Sequence, residues 1–295
     1  MTDGRGGILG ALGPVACVLL AILAIWYGAA MGLNMAWERD QAARAKTSPT
    51  LVEMLGATMA QARPVLPAPH QVAVEIWQTT VQKKITSKRS LVHHAWITLS
   101  ATLLGFGMGT VLGIALAVGI VHSRAMDMSV MPWIITSQTI PILAIAPMII
   151  VVLNAVGVSG LLPKALISTY LAFFPVAVGM VKGLRSPDAM QLDQMRTWSA
   201  TGAQMLWKLR WPSSIPYLFA SLKVGVAAAL VGAIVGELPT GAVAGLGARL
   251  LAGSYYGQTV QIWSALIAAA VLAGTLVGLV GLANRIVLRR MGMAR

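Results

Sequence analysis

Long apolar stretches alternate along the chain with short polar segments that carry most of its charge. Uncharged runs cover residues 8–33, 90–123, 128–163, 165–181 and 250–284. A bilayer core needs about 20 mostly apolar residues per helix, so each run with its flanks holds enough chain for one membrane span. The pattern predicts six spans. They lie near 8–33, 95–121, 129–153, 163–182, 216–236 and 261–283.

Two of these spans need a further argument. Lys223 interrupts the span near 216–236, but Pro212 and Pro216 precede its apolar residues, and proline is favoured at the start of a helix. The run at 8–33 is longer than the apolar core of a secretory signal, which has about 7–15 residues. We therefore expect it to be retained as the first span.

Composition agrees with a membrane protein and excludes most other classes. Apolar residues make up 57% of the chain and charged residues only 11%, whereas soluble domains carry about 25% charged residues. The formal charge of +13 would suit nucleic acid if the basic residues were grouped on a soluble fold, but here they separate apolar runs. We expect an all-α integral membrane protein embedded in a lipid bilayer, with no nucleic-acid partner.

The basic residues also predict orientation. If the N-terminus lies inside, eleven Lys and Arg residues fall in cytoplasmic segments, and only Lys164 and Arg249 fall in the two short outer loops. Because cytoplasmic loops are enriched in basic residues, both termini are predicted to be cytoplasmic. The outer segment 34–94 disagrees, since it carries eight basic residues. At about 60 residues it is long enough for the rule to weaken.

The outer segment 34–94 contains three kinds of sequence. Residues 37–49 are polar and predict a loop, whereas the prolines of 63–70 predict an extended stretch. Residues 71–85 carry apolar side chains at helical spacing and predict a helix on the outer face. A small soluble domain would need more apolar residues than the segment contains. The whole chain is thus divided into an N-terminal tail with the first span (1–33), the outer segment with an interfacial helix (34–94), a five-helix core (95–283) and a cytoplasmic tail (284–295).

Glycines recur every fourth residue in two of the spans. Gly105, Gly109 and Gly113 lie in the second span, and Gly274 and Gly278 lie in the last. Small residues at this spacing let membrane helices approach closely, so both spans are expected to pack against protein. One alternative is ordinary packing against another helix of the same chain. The other is that the glycines form a tight pore wall or a dimer interface.

Four residues are candidates for lining a path through the membrane. Prolines inside a membrane helix leave carbonyl groups that protein or water must satisfy, so the third span, with Gln138 and Pro141, is expected to line a cavity or to be a kinked helix. Lys223 and Glu237 are ionisable residues in or next to a span, which makes them functional candidates. The structural alternative is that Lys223 extends to the inner interface and Glu237 marks the outer end of its span.

Catalytic and metal-binding patterns are absent from the sequence. The four histidines lack the spacing of metal ligands, and the one cysteine, Cys17, permits no intramolecular disulfide. The phosphate-binding pattern G-x-x-x-x-G-K-[ST] does not occur, so the chain is not expected to hydrolyse ATP by that mechanism. We expect no bound metal, no cofactor and no enzymatic activity.

The loop between the fourth and fifth spans has the pattern of two short amphipathic helices. Pro187 and Asp188 predict a helix start, and Pro212 is predicted to stop the run. Apolar residues recur at helical spacing between these points, flanked by basic residues. An exposed amphipathic helix pair is typical of a surface that a soluble partner grips.

Residues 193–216 resemble the cytoplasmic EAA loop of binding-protein-dependent ABC importer permeases. Asp193-Gln194-Met195 takes the place of the E-A-A triplet, Ser199 the place of the glycine, and Trp211-Pro212 the place of the Leu-Pro pair, without a gap. The resemblance covers residues 66–283 and is nearest to the nitrate, sulfonate and taurine branch. It places the ATPase-coupling residues at Asp193, Met195, Ser199, Ala200, Leu206 and Pro212.

The resemblance implies a type I importer fold with six membrane helices and a coupling loop at 186–212. It also implies a multi-pass protein of the bacterial inner membrane that forms a homodimer, binds two ATPase subunits carrying ATP-Mg and receives solute from a periplasmic binding protein. The solute would resemble nitrate, a sulfonate or taurine, or else a pyrimidine or thiamine precursor. The alternative function is a self-sufficient channel or secondary transporter, in which paired broken helices and buried acids are expected.

Overall fold

The computed structural model describes residues 9–239 and 244–293, and all regular structure in this part of the chain is helical. The helices are α1 (Leu9–Ala45), α2 (Leu51–Ala60), α3 (Pro69–Trp77), α4 (Leu91–His122), α5 (Arg124–Ser137), α6 (Ile142–Ala155), α7 (Leu161–Leu184), α8 (Ala189–Thr197), α9 (Gly202–Met205), α10 (Trp211–Gly236), α11 (Leu246–Tyr255) and α12 (Thr259–Arg290). Single π-helical turns, Gln78–Gln82 and Leu206–Arg210, extend α3 and α9.

Five of the described helices are long and apolar enough to cross a membrane, and the bent pair α5 and α6 is a sixth when the two are taken together as one span. This confirms the predicted all-α membrane fold. The third span is not one straight helix, however, because α5 and α6 meet at an angle of 99°. The break falls at 138–141, where Pro141 disfavours helical backbone in the residue before it.

The prediction of a polar loop at 37–49 is wrong, because α1 continues as a helix to Ala45. Residues 37–45 contain alanine, arginine, glutamine and glutamate, which are good helix formers even without an apolar face. The prediction also missed α2, which begins with a capping box between Thr50 and Glu53. The irregular stretch before Pro69 is as predicted, and the helix predicted at 71–85 is present as α3 with its π-helical turn but ends earlier, at Gln82.

The chain divides into two compact units, of which the first comprises Met1–Leu91 and Arg249–Ile267. Within it, the buried side chain of Asn34 on α1 holds the irregular segment before α3. Its amide donates to the Leu66 carbonyl at 3.0 Å, and its Oδ1 accepts from the Val65 backbone N–H at 2.8 Å. Trp26 adds a hydrogen bond to the Pro67 carbonyl at 3.0 Å. These bonds satisfy backbone groups that have no helical partner.

The second unit comprises Val92–Ala248 and Ala268–Arg295, and its core lies between α4, α5, α7 and α10. Gly105, Gly109 and Gly113 put the backbone of α4 directly against α7, where a Cβ atom at any of them would lie within 3 Å of an α7 atom. For these three glycines, packing within the chain is confirmed. Gly274 and Gly278 have no described atom within 4 Å of the corresponding Cβ position, so at these two glycines the described part of the chain does not make the close contact expected of the last span.

Candidate functional site

The exposed segment between α7 and α10 begins with α8, whose N-terminus has the predicted cap. Asp188 and Gln191 form a capping box at its start, and none of the residues of α8 is buried. Asp193, at the predicted start of the coupling motif, pairs with Arg196 on the same exposed surface at 2.8 Å. α8 is therefore held by its own caps and side-chain pairs rather than by burial.

A left-handed residue ends α8. Ser199 has φ of 53°, one of two positive φ values among the described residues other than glycine. Its backbone N–H donates to the Arg196 carbonyl at 2.8 Å, and the Ala200 N–H donates to the Met195 carbonyl at 3.0 Å. This pair of bonds is the Schellman motif, in which the left-handed position is usually glycine. The geometry gives a physical reason for a glycine at this place in the resembling family.

The second arm of the loop runs without interruption into the membrane. Thr201 caps α9, and the helical backbone continues through the π-helical turn to Gly236. The prediction that Pro212 stops the helix is wrong. The π-helical turn pairs the Trp211 N–H with the Leu206 carbonyl, and the Ser213 hydroxyl donates to the Leu209 carbonyl at 2.8 Å. These adjustments accommodate a residue that has no N–H to donate.

The side chains of the loop divide into an exposed set and an inward set. Met190, Trp198 and Trp207 are exposed apolar side chains and lie among basic residues. Leu206 instead packs, half buried, against the core cluster of the second unit. The exposed apolar surface of the loop is thus formed by residues other than Leu206, and exposed tryptophan and methionine are the types enriched in protein interfaces.

The predicted path residues of the third span lie at the break between α5 and α6. Gln138 caps the end of α5 and donates to the Ser137 hydroxyl at 3.2 Å, whereas Pro141 begins α6 with an exposed side chain. The Tyr170 hydroxyl of α7 donates to the Ser137 carbonyl. This contact satisfies a backbone group at the break and holds it against α7.

Lys223 and Glu237 do not form one site. They are separated by 14 positions on and just beyond α10, which is about 21 Å along a helix axis. Lys223 is half buried, and its side chain lies beside Gly281 of α12. Glu237 is fully buried at the C-terminal end of α10. The structural alternative for Glu237, an end of its span, therefore agrees with its position.

Glu237 accepts hydrogen bonds from two directions. The Thr98 hydroxyl on α4 lies 3.0 Å from each carboxylate oxygen, and the Gly247 N–H donates to Oε2 at 2.8 Å. The Lys164 ammonium is 3.9 Å from Oε1. Burial raises the pKa of Glu237 to about 7, although Gly247, Lys164 and Thr98 each lower it. A buried carboxylate of this kind ties α4, α7 and the start of α11 together.

Residues around Glu237 extend this network. The Thr98 hydroxyl accepts from the Leu246 N–H at 2.9 Å, and the His94 ring accepts from the Gly245 N–H at 3.0 Å. Gly245 has φ of 129°, and a Cβ atom there would lie 2.2 Å from the Glu237 carboxyl carbon. Sequence reasoning missed Thr98 and His94, because a hydroxyl and an imidazole within an apolar run carry no spacing signal.

A cavity of about 520 Å³ lies next to this network, between α4, α6 and the start of α7. Its polar lining comes from Ser100, Asn154, Ser159 and Lys164, and the rest is apolar. None of the four predicted path residues is among its lining residues in the described part of the chain. The volume lies in the range of pockets that hold small organic molecules.

Residues 109–293 match the family described as binding-protein-dependent transport system inner membrane component. A riboflavin transport system permease protein of Chloroflexus aurantiacus is 32% identical over 76% of this chain and 80% of its own length. A formylaminopyrimidine transport permease protein of Halalkalibacterium halodurans is 31% identical over 62% of this chain and 68% of its own.

More distant matches extend the comparison to other solutes and to a solved structure. A putative aliphatic sulfonates transport permease protein of Bacillus subtilis is 24% identical over 75% of this chain and 76% of its own. The fold also matches the methionine ABC transporter MetNI in an inward facing conformation, with a TM-score of 0.58 at 20% identity, over 70% of this chain and 96% of that one. This structural likeness concerns the fold alone.

Proposed function

This chain belongs to the family of binding-protein-dependent transport system inner membrane components, and from that premise we propose how it is driven and what it carries. It is the permease subunit of an ABC importer, a multi-pass protein of the inner membrane and a transport component. We propose that ATP-Mg binds to a separate ATPase and not to this chain. Two ATPase subunits grip the loop 188–212 of a permease homodimer on the cytoplasmic side.

The observation that carries this proposal is the construction of the loop. None of the residues of α8 is buried, whereas the second arm continues as one helix from Gly202 into the span that ends at Gly236. A movement of the bound ATPase would therefore displace a continuous membrane helix, because no flexible linker separates the loop from that helix. Coupling between distant sites needs a rigid element of this kind with two arrangements.

Ser199 provides a test in which folding and coupling are separated. Proline cannot adopt the positive φ of this position, so Ser199→Pro should break the end of α8 while leaving the membrane helices inserted. Ser199→Gly should be neutral or stabilising by about 1 kcal/mol, because glycine has no penalty in the left-handed region. We expect Ser199→Pro to lose co-purification with the ATPase and Ser199→Gly to retain it. Normal co-purification of both variants, at equal abundance, would place the ATPase contact elsewhere.

For the solute, we propose a small nitrogen heterocycle related to pyrimidines or flavins. The first supporting observation is sequence identity. The riboflavin and formylaminopyrimidine permeases are 32% and 31% identical to this chain, whereas the sulfonate permease is 24% identical. The cavity of about 520 Å³ is also larger than an inorganic anion needs, and its hydroxyl and amide groups suit a heterocycle.

A sulfonate, taurine or nitrate is the second candidate, supported by the sulfonate permease and by a nitrate import permease protein of Synechocystis at 24% identity. The solute can be identified by purifying the cognate binding protein and analysing the retained small molecule by mass spectrometry. A heterocycle would support the first assignment, and a sulfonate or an inorganic anion would overturn it.

A further inference from the structure

α3 and the turn that follows it present an unusual surface within the first unit. One face of α3 and of the π-helical turn after it packs against the rest of the unit. Val72 and Thr79 are buried on this face, and Glu75 pairs with Arg249 of α11 at 2.8 Å. Arg249 also donates to the Arg89 carbonyl at 3.1 Å. α3 and the end of the following turn are therefore fixed in place by buried polar contacts.

The opposite face of the same element is apolar and uncovered. Val74, Trp77 and Val81 lie on this face at intervals of three or four residues, and Ile85 follows in the irregular turn after Gln82; each of the four is between 52% and 66% exposed. Apolar side chains on the exposed side of a fixed helix are not stabilised by contact with water. Such a stripe marks a surface that meets lipid or another protein.

Basic side chains adjoin the end of this stripe. Lys83, Lys84, Lys88 and Arg89 are all exposed, and they lie within the eight residues, 83–90, that separate the π-helical turn from α4. Because α4 is a membrane span that begins at Leu91, the basic turn lies at the membrane surface. This is also the segment that departs from the rule for basic residues in outer loops.

We propose that residues 69–89 form an interfacial element that binds anionic phospholipid headgroups. Val74, Trp77, Val81 and Ile85 enter the boundary between headgroups and acyl chains, and Lys83, Lys84 and Arg89 contact the phosphates. An amphipathic helix with tryptophan on its apolar side and lysine beside it has the chemistry of this boundary. Lysine is depleted from protein interfaces, which favours a lipid surface over a protein partner here. The inference is independent of the solute and of the ATPase contact.

The first measurement concerns the depth of the apolar stripe in the lipid bilayer. In a Cys17→Ser background, a fluorophore is attached at Val81→Cys or at Ser48→Cys, an exposed loop position in the same unit. The full chain is reconstituted in vesicles of phosphatidylcholine and phosphatidylglycerol. We expect acyl-brominated lipid to quench the Val81 label strongly and aqueous iodide to quench it weakly, with the reverse at Ser48. Iodide quenching of both labels to the same extent would overturn the proposal.

The second measurement concerns charge. Lys83, Lys84 and Arg89 are replaced together by Gln, and the matched control replaces Arg39, Arg44 and Lys46, three exposed basic residues at the end of α1. Association of spin-labelled phosphatidylglycerol relative to spin-labelled phosphatidylcholine is measured for each chain. Melting temperatures must be equal, so that lost binding does not reflect lost fold. We expect the ratio to fall several-fold in the first variant only.

Two results would contradict this expectation. Equal losses in both triple variants would show a general effect of net charge and no site. An unchanged lipid ratio, combined with weaker stimulation of ATP hydrolysis by the binding protein, would make the segment a protein-docking surface instead.

Discussion

Ser199 shows how a single backbone conformation connects sequence to function. A serine occupies a left-handed position at the end of α8, where the resembling family has glycine. The strain of a side chain there is about 1–2 kcal/mol, which two hydrogen bonds of the Schellman motif offset. The resemblance to the EAA loop placed Ser199 at the position of the family's glycine because of its spacing from Trp211-Pro212. The sign of φ could be inferred from the family's glycine but not from serine itself.

Glu237 was predicted as a path residue or an end of its span, and its hydrogen bonds place it in a buried network. Sequence could not distinguish these alternatives, because the partners Thr98 and Lys164 lie more than 70 positions away. A buried carboxylate without partners would be costly, whereas this one has Thr98, Gly247 and Lys164 around it.

The raised pKa of Glu237 predicts a pH effect on stability. The folded state holds this proton more tightly than the unfolded chain, whose carboxyl group titrates near 4.5. Stability is therefore greatest at low pH and falls as the pH rises through about 7. In detergent, the melting temperature of the wild type should drop as the pH rises from about 4.5 to about 7, the window between the unfolded and folded pKa values of this carboxyl group. Glu237→Gln, which mimics the protonated form, should remove most of that drop.

The comparison of the two chains isolates Glu237 from the other titratable groups of the protein. An equal decline in wild type and variant would contradict the assignment of the pH dependence to this carboxyl group.

At the scale of elements, the number and position of the membrane helices followed from the length of the apolar runs. The 99° break between α5 and α6 did not, because prolines indicate a disturbance without its angle. The angle depends on contacts such as that of Tyr170 with Ser137. The continuation of α1 to Ala45 was missed for another reason. A polar stretch of good helix formers resembles a loop unless the helix before it is taken into account.

The two glycine repeats give a matched test of helix packing. A Cβ atom at Gly105 would lie 2.2 Å from Ser168 Cβ and 2.5 Å from the Ala165 carbonyl oxygen, whereas Gly274 has open space. Gly105→Ala should therefore destabilise the chain by about 1–3 kcal/mol. Gly274→Ala should be neutral or stabilising by up to about 1 kcal/mol in the isolated chain. Thermal unfolding of the two purified variants measures this difference.

The glycine test also has an informative opposite result. If Gly274→Ala lowered stability as much as Gly105→Ala, the last span would have to pack on protein through Gly274. Loss of stability that appeared only in the assembled transporter would instead locate the partner of the last span in the second permease copy.

At the scale of the whole molecule, the sequence predicted the architecture and family but not the internal contacts that hold it. The apolar runs, the basic loops and the motif around Ser199 were sufficient for the permease assignment. The tie between Asn34 and the segment before α3 was not predictable, because a lone asparagine at the end of an apolar run has no distinguishing pattern. The solute is not encoded in a recognisable motif of this chain, since pore walls of small apolar residues carry little chemical information.

Orientation in the membrane stays a prediction with a direct test. The excess of basic residues in the predicted inner loops places α8 in the cytoplasm and residues 46–50 outside. In a Cys17→Ser background, a membrane-impermeant maleimide added to intact spheroplasts should label Ser48→Cys and spare Ala189→Cys, both at exposed positions. After permeabilisation, both should react. Labelling of Ala189→Cys alone in the intact cells would reverse the assigned orientation.

The central claim is that this chain transports solute only when a separate ATPase acts on the loop 188–212. The decisive measurement is uptake into proteoliposomes of the radiolabelled small molecule that the binding protein retains. The account predicts ATP-dependent uptake by the complete complex, no uptake by the chain alone under an ion gradient, and ATP hydrolysis without uptake when Met190 and Trp207 are both changed to Asp. Uptake by the chain alone, driven by an ion gradient, would contradict the account.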